Sequence, residues 1–302
     1  MLSVLIPVYN QDVRELVSEL HAQLLACSVP FEIVIADDAS DFVSVEDNSS
    51  LSDLECVRVI NFTQNQGRSK IRNFLADKAV YPNLIILDCD ASVCHDSFIG
   101  AYLDFLRKND LFGKKYAVLG GVAYRHKTPD HNFRLRYKYG IRREERPAAV
   151  RNLNPYKAFT PFNLLIAKSV FETCRFDESL NQYGYEDTFF GIELKNNGIP
   201  VYHIDNQMFH DGLDSDETFL GKVEKSCQNL KILMDEGKIN EDFVSCSNLL
   251  ITYNKLKSSA FGRLLLGGLA KNSGILRSTT LKFCSLRALD LYKLSLVVKL
   301  KI

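Results

Sequence analysis

LSVLIPVYNQDVRELVSELHAQLLACSVPFEIVIADD, residues 2–38, decides the fold. It opens with seven mostly apolar residues, LSVLIPV, of strand length. Val13, Leu16, Val17, Leu20 and Leu24 then recur at helical spacing over 12–27. A second apolar run, FEIVIA at 31–36, stops at Asp37-Asp38. Strand, helix, strand, with strands apolar throughout rather than alternating, is the pattern of a parallel sheet covered on both faces.

The pattern continues outward. Strands are predicted at 56–60 (CVRVI), 84–87 (LIIL) and 116–120, and helices at about 67–80 and 95–108. The expected fold class is therefore α/β, with a mostly parallel central sheet flanked by helices. Polar clusters follow several strands: Tyr9-Asn10, Asp37-Asp38 and Asp88 to Asp90. Open α/β sheets bind ligands at the carboxyl ends of their strands, so one crevice can collect all three clusters.

Asp88-Cys89-Asp90 places two carboxylates on one side of an extended chain. Two hard oxygen donors suit Mg²⁺ or Mn²⁺, and like charges this close are costly without a cation. In NQGRSKIRN, residues 65–73, Gly67 stands where a helix begins and Arg68, Lys70 and Arg72 crowd its first turns. Cations there oppose the helix dipole, and a bound anion would relieve them. In YGYEDTFFG, residues 183–191, Glu186 and Asp187 precede an amphipathic stretch. Acids at a helix start are ordinary capping chemistry, but a carboxylate here also suits a general base. His210, in QMFHDGL, would add a nitrogen ligand that Mn²⁺ tolerates better than Mg²⁺.

Residues 123–158 are rich in Arg, Lys and Tyr with little periodicity. They read as a long irregular excursion, either functional or simply a solvated basic loop. Residues 255–302 hold ten basic residues against one acid and many leucines, which reads as two or three short helices. A basic, leucine-rich tail suits an anionic membrane surface, and equally a helical appendage with its lysines in water. The whole chain of 302 residues carries 37 basic and 37 acidic side chains, which gives no sign of nucleic-acid binding. The eight cysteines form no CxxC pair and read as reduced thiols. No signal peptide is recognisable at the N-terminus and no run approaches the ~18 apolar residues of a membrane span. The expected location is cytoplasmic, with peripheral attachment to the inner face of the cell membrane.

Five segments together resemble family 2 of the glycosyltransferases, with the GT-A fold: SVLIPVYN, IVIADDAS, NQGRSKIRN, LIILDCDAS and the block FNLLIAKSVFETCRFDESLNQYGYEDTFFG. The resemblance runs in order from residue 3 to about 211. It implies an inverting, metal-assisted transfer from a nucleotide diphosphate sugar, by default a UDP-sugar, to a glycan or lipid-linked saccharide. Pro7, Tyr9 and Asp38 should line the base and ribose pocket, with Arg68 and Arg72 near the nucleotide. Asp88 should contact the ribose or the metal through water, and Asp90 should bind Mn²⁺ (or Mg²⁺). Asp187 should be the base, with Glu186 beside it facing the acceptor. His210 resembles the further metal ligand of the branch holding chondroitin polymerases and polypeptide N-acetylgalactosaminyltransferases. Residues 1–120 would form the nucleotide-sugar half and 121–214 the acceptor half, with 215–302 a helical C-terminal region. The chain departs from processive synthases: it contains no tryptophan, hence no QxxRW-type motif. Two other readings compete. LIILDCDAS also resembles the DxD strand of haloacid-dehalogenase-like phosphatases, and a non-catalytic sugar-nucleotide or glycan-binding relative would share the fold.

Overall fold

The computed structural model describes residues 1–41, 48–127, 129–180 and 182–300. The chain divides into two compact units. The first comprises Met1–Arg125, Glu145–Asn181 and Glu186–Gly212. In chain order it contains β1 (Leu2–Val8), α1 (Arg14–Ala26), β2 (Phe31–Asp37), β3 (Val57–Asn61), α2 (Arg68–Lys78), β4 (Asn83–Leu87), β5 (Ala91–Val93), α3 (Phe98–Lys108), β6 (Ala117–Leu119) and β7 (Val122–Ala123). After the excursion into the second unit, which carries α4 (Arg134–Tyr139), come α5 (Ala148–Arg151), β8 (Asn163–Ala167), α6 (Glu186–Asn196), β9 (Val201–His203) and β10 (Met208–His210).

Seven strands form one sheet in the order β3-β2-β1-β4-β8-β6-β9. Neighbours pair in parallel except β8, which runs against both β4 and β6. The apolar runs of the sequence thus become a mainly parallel sheet, and β2 and β4 are buried at every position. Each fully covered Leu, Ile or Val here contributes about 2 kcal/mol of transfer free energy. Leu16, Val17, Leu20 and Leu24 of α1 are buried against this core, as their spacing requires. A second, three-stranded sheet pairs β10 antiparallel to β5 and parallel to β7. Its register sets His210 opposite Ala91, one residue beyond Asp90.

The second unit comprises His126–Glu144, Gln182–Tyr185 and Leu213–Ile302. Besides α4 it holds α7 (Asp216–Asp235), α8 (Glu241–Cys246), α9 (Asn248–Lys257), α10 (Ala260–Lys271), α11 (Ser273–Phe283) and α12 (Leu286–Lys299). Five of these start on a side-chain cap that accepts a backbone N–H: Ser215, Asn240, Ser247, Ser259 and Ser285. Leu135, Phe219, Leu220, Val223, Leu289 and Tyr292 form its small core. Among the described residues no helix is long and apolar enough to cross a membrane, and all eight cysteines are free thiols.

The stretch 123–158 is neither a solvated loop nor irregular throughout. Leu135 of α4 enters the helical core, and the Arg136 backbone N–H donates to Asp216 at 2.9 Å. Arg151 is buried and donates to the carbonyls of Leu119 (3.1 Å), Gly120 (3.1 Å) and Ile204 (2.7 Å). A guanidinium with five donors can satisfy several strand-end carbonyls at once. Such arginines are structural, and no periodicity reports them. Residues 301–302 of the basic tail lie outside the described residues.

Candidate active site

The sequence-identified site residues all fall in the first unit, and most of them line one cavity of about 360 Å³. Pro7 and Tyr9 come from the end of β1, Asp38 from the end of β2, Arg68 and Arg72 from α2, and Asp88 and Asp90 from the turn after β4. Tyr9 is 54% exposed, a free ring face beside Pro7. Asp38 is buried, and its two carboxylate oxygens accept the backbone N–H groups of Gln66 (2.6 Å) and Gly67 (3.0 Å). Asp38 therefore fixes the turn that starts α2. Gly67 has φ +82°, a left-handed conformation that a side chain would strain. Asn65, Gln11 and Ile71 also line the cavity. No motif spacing singles them out, although Asn65 lies within the block already quoted.

Arg72 ties the site together. Its side chain is 5% exposed, and it contacts Asp88 at 2.7 Å and Asp187 at 3.6 Å. It also lies 5.4 Å over the Phe176 ring. Burial alone would lower its pKa, but Asp88 and Asp187 outweigh that and hold the proton more tightly than in free arginine. Arg68, 60% exposed, reaches Glu186 at 3.5 Å. The two arginines of one helix face thus meet the two acids at the start of α6. Sequence showed the shared face but not these partners.

Asp187 Oδ1 is covered and has no hydrogen-bond partner, while the carboxyl group as a whole is 30% exposed. Burial, then the neighbouring Glu186, pushes its pKa up to about 7, against the pull of Arg72. A carboxylate that titrates near neutrality inside a charged cluster is the pattern of a catalytic group.

Asp90 and His210 come together: Nε2 lies 3.6 Å from Oδ2. His210 stacks on Tyr124, with ring centroids 5.8 Å apart, and on Phe162 at 5.3 Å, near-parallel to both. These rings fix the imidazole plane, a support that sequence reading missed. Arg125 braces the strand beside it by donating to Asp211 (2.8 Å) and Ser92 (2.8 Å). Gly212 packs so closely on Asp90 that an added Cβ would stand 2.5 Å from Oδ2. Burial holds the Asp90 carboxyl above its usual range, opposed by His210. A cation would relieve that cost, and one carboxylate with one imidazole is a donor set that Mn²⁺ accepts. Among the described residues no third His, Cys, Asp or Glu completes a protein-only metal site. Burial raises the Cys89 thiol between the two acids to about 12.

Arg72→Met leaves Asp88 and Asp187 facing each other without their shared cation. Removing one partner of a buried ion cluster costs about 3–5 kcal/mol. The expected result is a Tm lower by roughly 6–12 °C in thermal unfolding at neutral pH. A Tm within about 2 °C of wild type would show that these side chains do not act as one cluster.

The model of glycosyl transferase family 2 matches residues 3–172. Among solved structures, S. aureus TarS 1–349 is similar at 16% identity and TM-score 0.53, over 100% of this chain and 92% of that one. Its complex with UDP is similar at 15% identity and TM-score 0.50, over 100% and 92%. The mannosyltransferase PcManGT from Pyrobaculum calidifontis, solved with GDP-Man and Mn²⁺, is similar at 14% identity and TM-score 0.61, over 99% of this chain and 86% of that one. No curated protein matches the chain.

Proposed function

The chain belongs to glycosyl transferase family 2 and has its GT-A fold, and on that premise we propose that it moves a sugar from a nucleotide diphosphate donor, a UDP-sugar, to a hydroxyl of a glycan or lipid-linked saccharide with inversion at the anomeric carbon. The observation that carries this is Arg72, which joins Asp88 at the cavity to Asp187 at the start of α6. Donor-side and acceptor-side carboxylates are thereby held in one cluster. UDP in one similar solved structure, and GDP-Man with Mn²⁺ in another, support the donor class and the metal.

Residues 1–120 carry the donor side and 121–214 the acceptor side. Tyr9 and Pro7 offer the base an apolar face, and Asp38 both orders the α2 turn and offers remaining lone pairs to the base. Arg68 and the start of α2 favour the diphosphate, with Arg72 behind them. Asp88 faces the ribose. Asp90 and His210 would hold Mn²⁺ or Mg²⁺, which when bound would neutralise charge on the leaving diphosphate. Asp187 takes the proton of the attacking hydroxyl, and Glu186, buried beside Arg68, orients the acceptor. Family membership sets aside the phosphatase reading of Asp88. Calorimetry tests donor binding: UDP is expected to bind in Mn²⁺ and not in chelator. Absence of binding by both UDP and GDP, with Mn²⁺ present, would overturn the proposal.

We also assign the helical unit a peripheral hold on an anionic membrane. On α10, Phe261 (77% exposed), Leu264 (75%) and Leu265 (43%) stand at i, i+3 and i+4, while Gly262 and Leu266 face inward. Exposed Lys257, Arg263 and Lys271 flank that apolar stripe. An apolar stripe bordered by cations is how a helix lies in a lipid interface. Changing all three apolar residues to Ser should lower co-sedimentation with phosphatidylglycerol vesicles by about tenfold or more. Deleting 255–302 should do the same if the rest stays folded. Undiminished sedimentation of the triple variant would remove the membrane assignment and leave glycosyl transfer untouched.

A further inference from the structure

The helical unit contains its own cavity, of about 350 Å³, lined wholly by its residues. This is within the size of small-ligand pockets. Tyr139, Phe219, Tyr183 and Tyr185 give it aromatic walls, with the Tyr139 and Phe219 rings 5.1 Å apart. Two lysines reach in: Lys222 Nζ lies 5.9 Å from the Tyr183 ring and Lys293 Nζ 5.2 Å from the Tyr139 ring.

The charges in this cavity do not cancel. Lys222 is paired with Asp214 at 2.7 Å, and Glu144, the one acid among the described residues that line the cavity, is paired with Arg136 at 3.1 Å. Among the described residues no carboxylate pairs with Lys293. One ammonium is left over inside a pocket of rings and hydroxyls. Ser226 and Ser247 supply the hydroxyls, and Ser247 also caps the ten-residue α9, whose positive end adds to the same bias. A sugar ring packs its C–H face on an aromatic ring and hydrogen-bonds at its edge. The unpaired ammonium adds a preference for a sugar that carries an anionic group.

One wall is also a place of stored strain. Tyr185 has φ +78°, a left-handed conformation unusual for an aromatic residue, and Asn229 holds it by donating to the carbonyls of Tyr183 (3.3 Å) and Gly184 (3.0 Å). The next residues in the chain are Glu186 and Asp187.

We propose that this cavity is a second saccharide site, which binds an anionic sugar unit, phosphorylated or carboxylated. That it serves a glycosyl transferase rests on the transferase reading; its binding preference does not. The test is ligand-observed NMR in chelator, which takes the metal out of the donor site, with glucose 1-phosphate, glucuronic acid, glucose and inorganic phosphate as probes. At least one anionic sugar should bind about tenfold more tightly than glucose, and which one does so identifies the anionic group. Lys293→Gln should abolish that difference, Lys293→Arg should restore it, and Lys222→Gln, with its own folding checked, should weaken it. Asp90→Ala should leave it unchanged. Equal binding of glucose and both anionic sugars would overturn the proposal, as would a folded Lys293→Gln that binds like wild type. So would loss in Asp90→Ala, which would put the ligand in the donor cavity. Tighter binding of inorganic phosphate than of either sugar would also overturn it, since the rings would then be idle. If anionic sugars bind through Lys293 while no nucleotide sugar is turned over, the site stands and the transferase reading fails instead.

Discussion

Asp187→Asn should leave the protein folded and more stable, while slowing sugar transfer by about 10³-fold. The rate effect follows from the role of the carboxylate, since an amide cannot accept the acceptor's proton. The stability effect follows from its pKa. Burial and Glu186 raise the folded-state value to about 7, whereas the unfolded value is 3.8. Between those two values the folded state holds a proton that the unfolded state has lost. Stability from this group is therefore present below the unfolded pKa and is lost as pH rises through about 7. Asn carries no such cost, so at about pH 8 the variant should gain on the order of 2 kcal/mol, a Tm rise of roughly 4–8 °C. The wild-type rate should fall about tenfold per pH unit below the pKa, and the residual activity of the variant should not. A variant with wild-type rate would remove Asp187 from the chemistry. A variant less stable than wild type would show that its pairing with Arg72 outweighs its burial.

Asp90→Ala should cost about as much, by a different route. The raised pKa of this buried carboxyl and its 3.6 Å approach to His210 fit a group that waits for a cation. Without it, transfer should drop by about 10³-fold, the several kcal/mol a metal contributes to a leaving diphosphate. Wild type should lose its rate in chelator and regain it with Mn²⁺, whereas the variant should respond to neither. His210→Ala should keep a metal response but need about tenfold more Mn²⁺ or more. A strong Mn²⁺ response in Asp90→Ala would relocate the metal site.

Much of the fold could be read from local pattern, because β1, α1, β2 and β4 announce themselves by apolar runs and helical spacing. The acids that close β2 and β4 could be read for the same reason. What could not be read depends on contacts between distant segments. β8 enters the sheet antiparallel between β4 and β6, and FNLLIA alone carries no sign of direction. Arg72 was recognisable as one basic residue of a helix face, but its burial between Asp88 and Asp187 comes from packing. His210 stands beside Asp90 only through the β5–β10 register, and its stacking on Tyr124 and Phe162 has no counterpart in spacing. Two arginines of 123–158 misled for a related reason: Arg136 and Arg151 are buried hydrogen-bond donors, which composition cannot tell from the solvated charges around them.

The Asp90–His210 pair and the cluster of Asp88, Arg72 and Asp187 are together expected to transfer sugar from a nucleotide diphosphate. Nucleotide release from a panel of UDP- and GDP-sugars, with Mn²⁺ or chelator, tests it most directly in wild type, Asp90→Ala and Asp187→Asn. The expected result is turnover of one donor, a UDP-sugar, in Mn²⁺ alone, with both variants near background. Turnover that is indifferent to chelator and to both substitutions would rule out the roles given to Asp90 and Asp187.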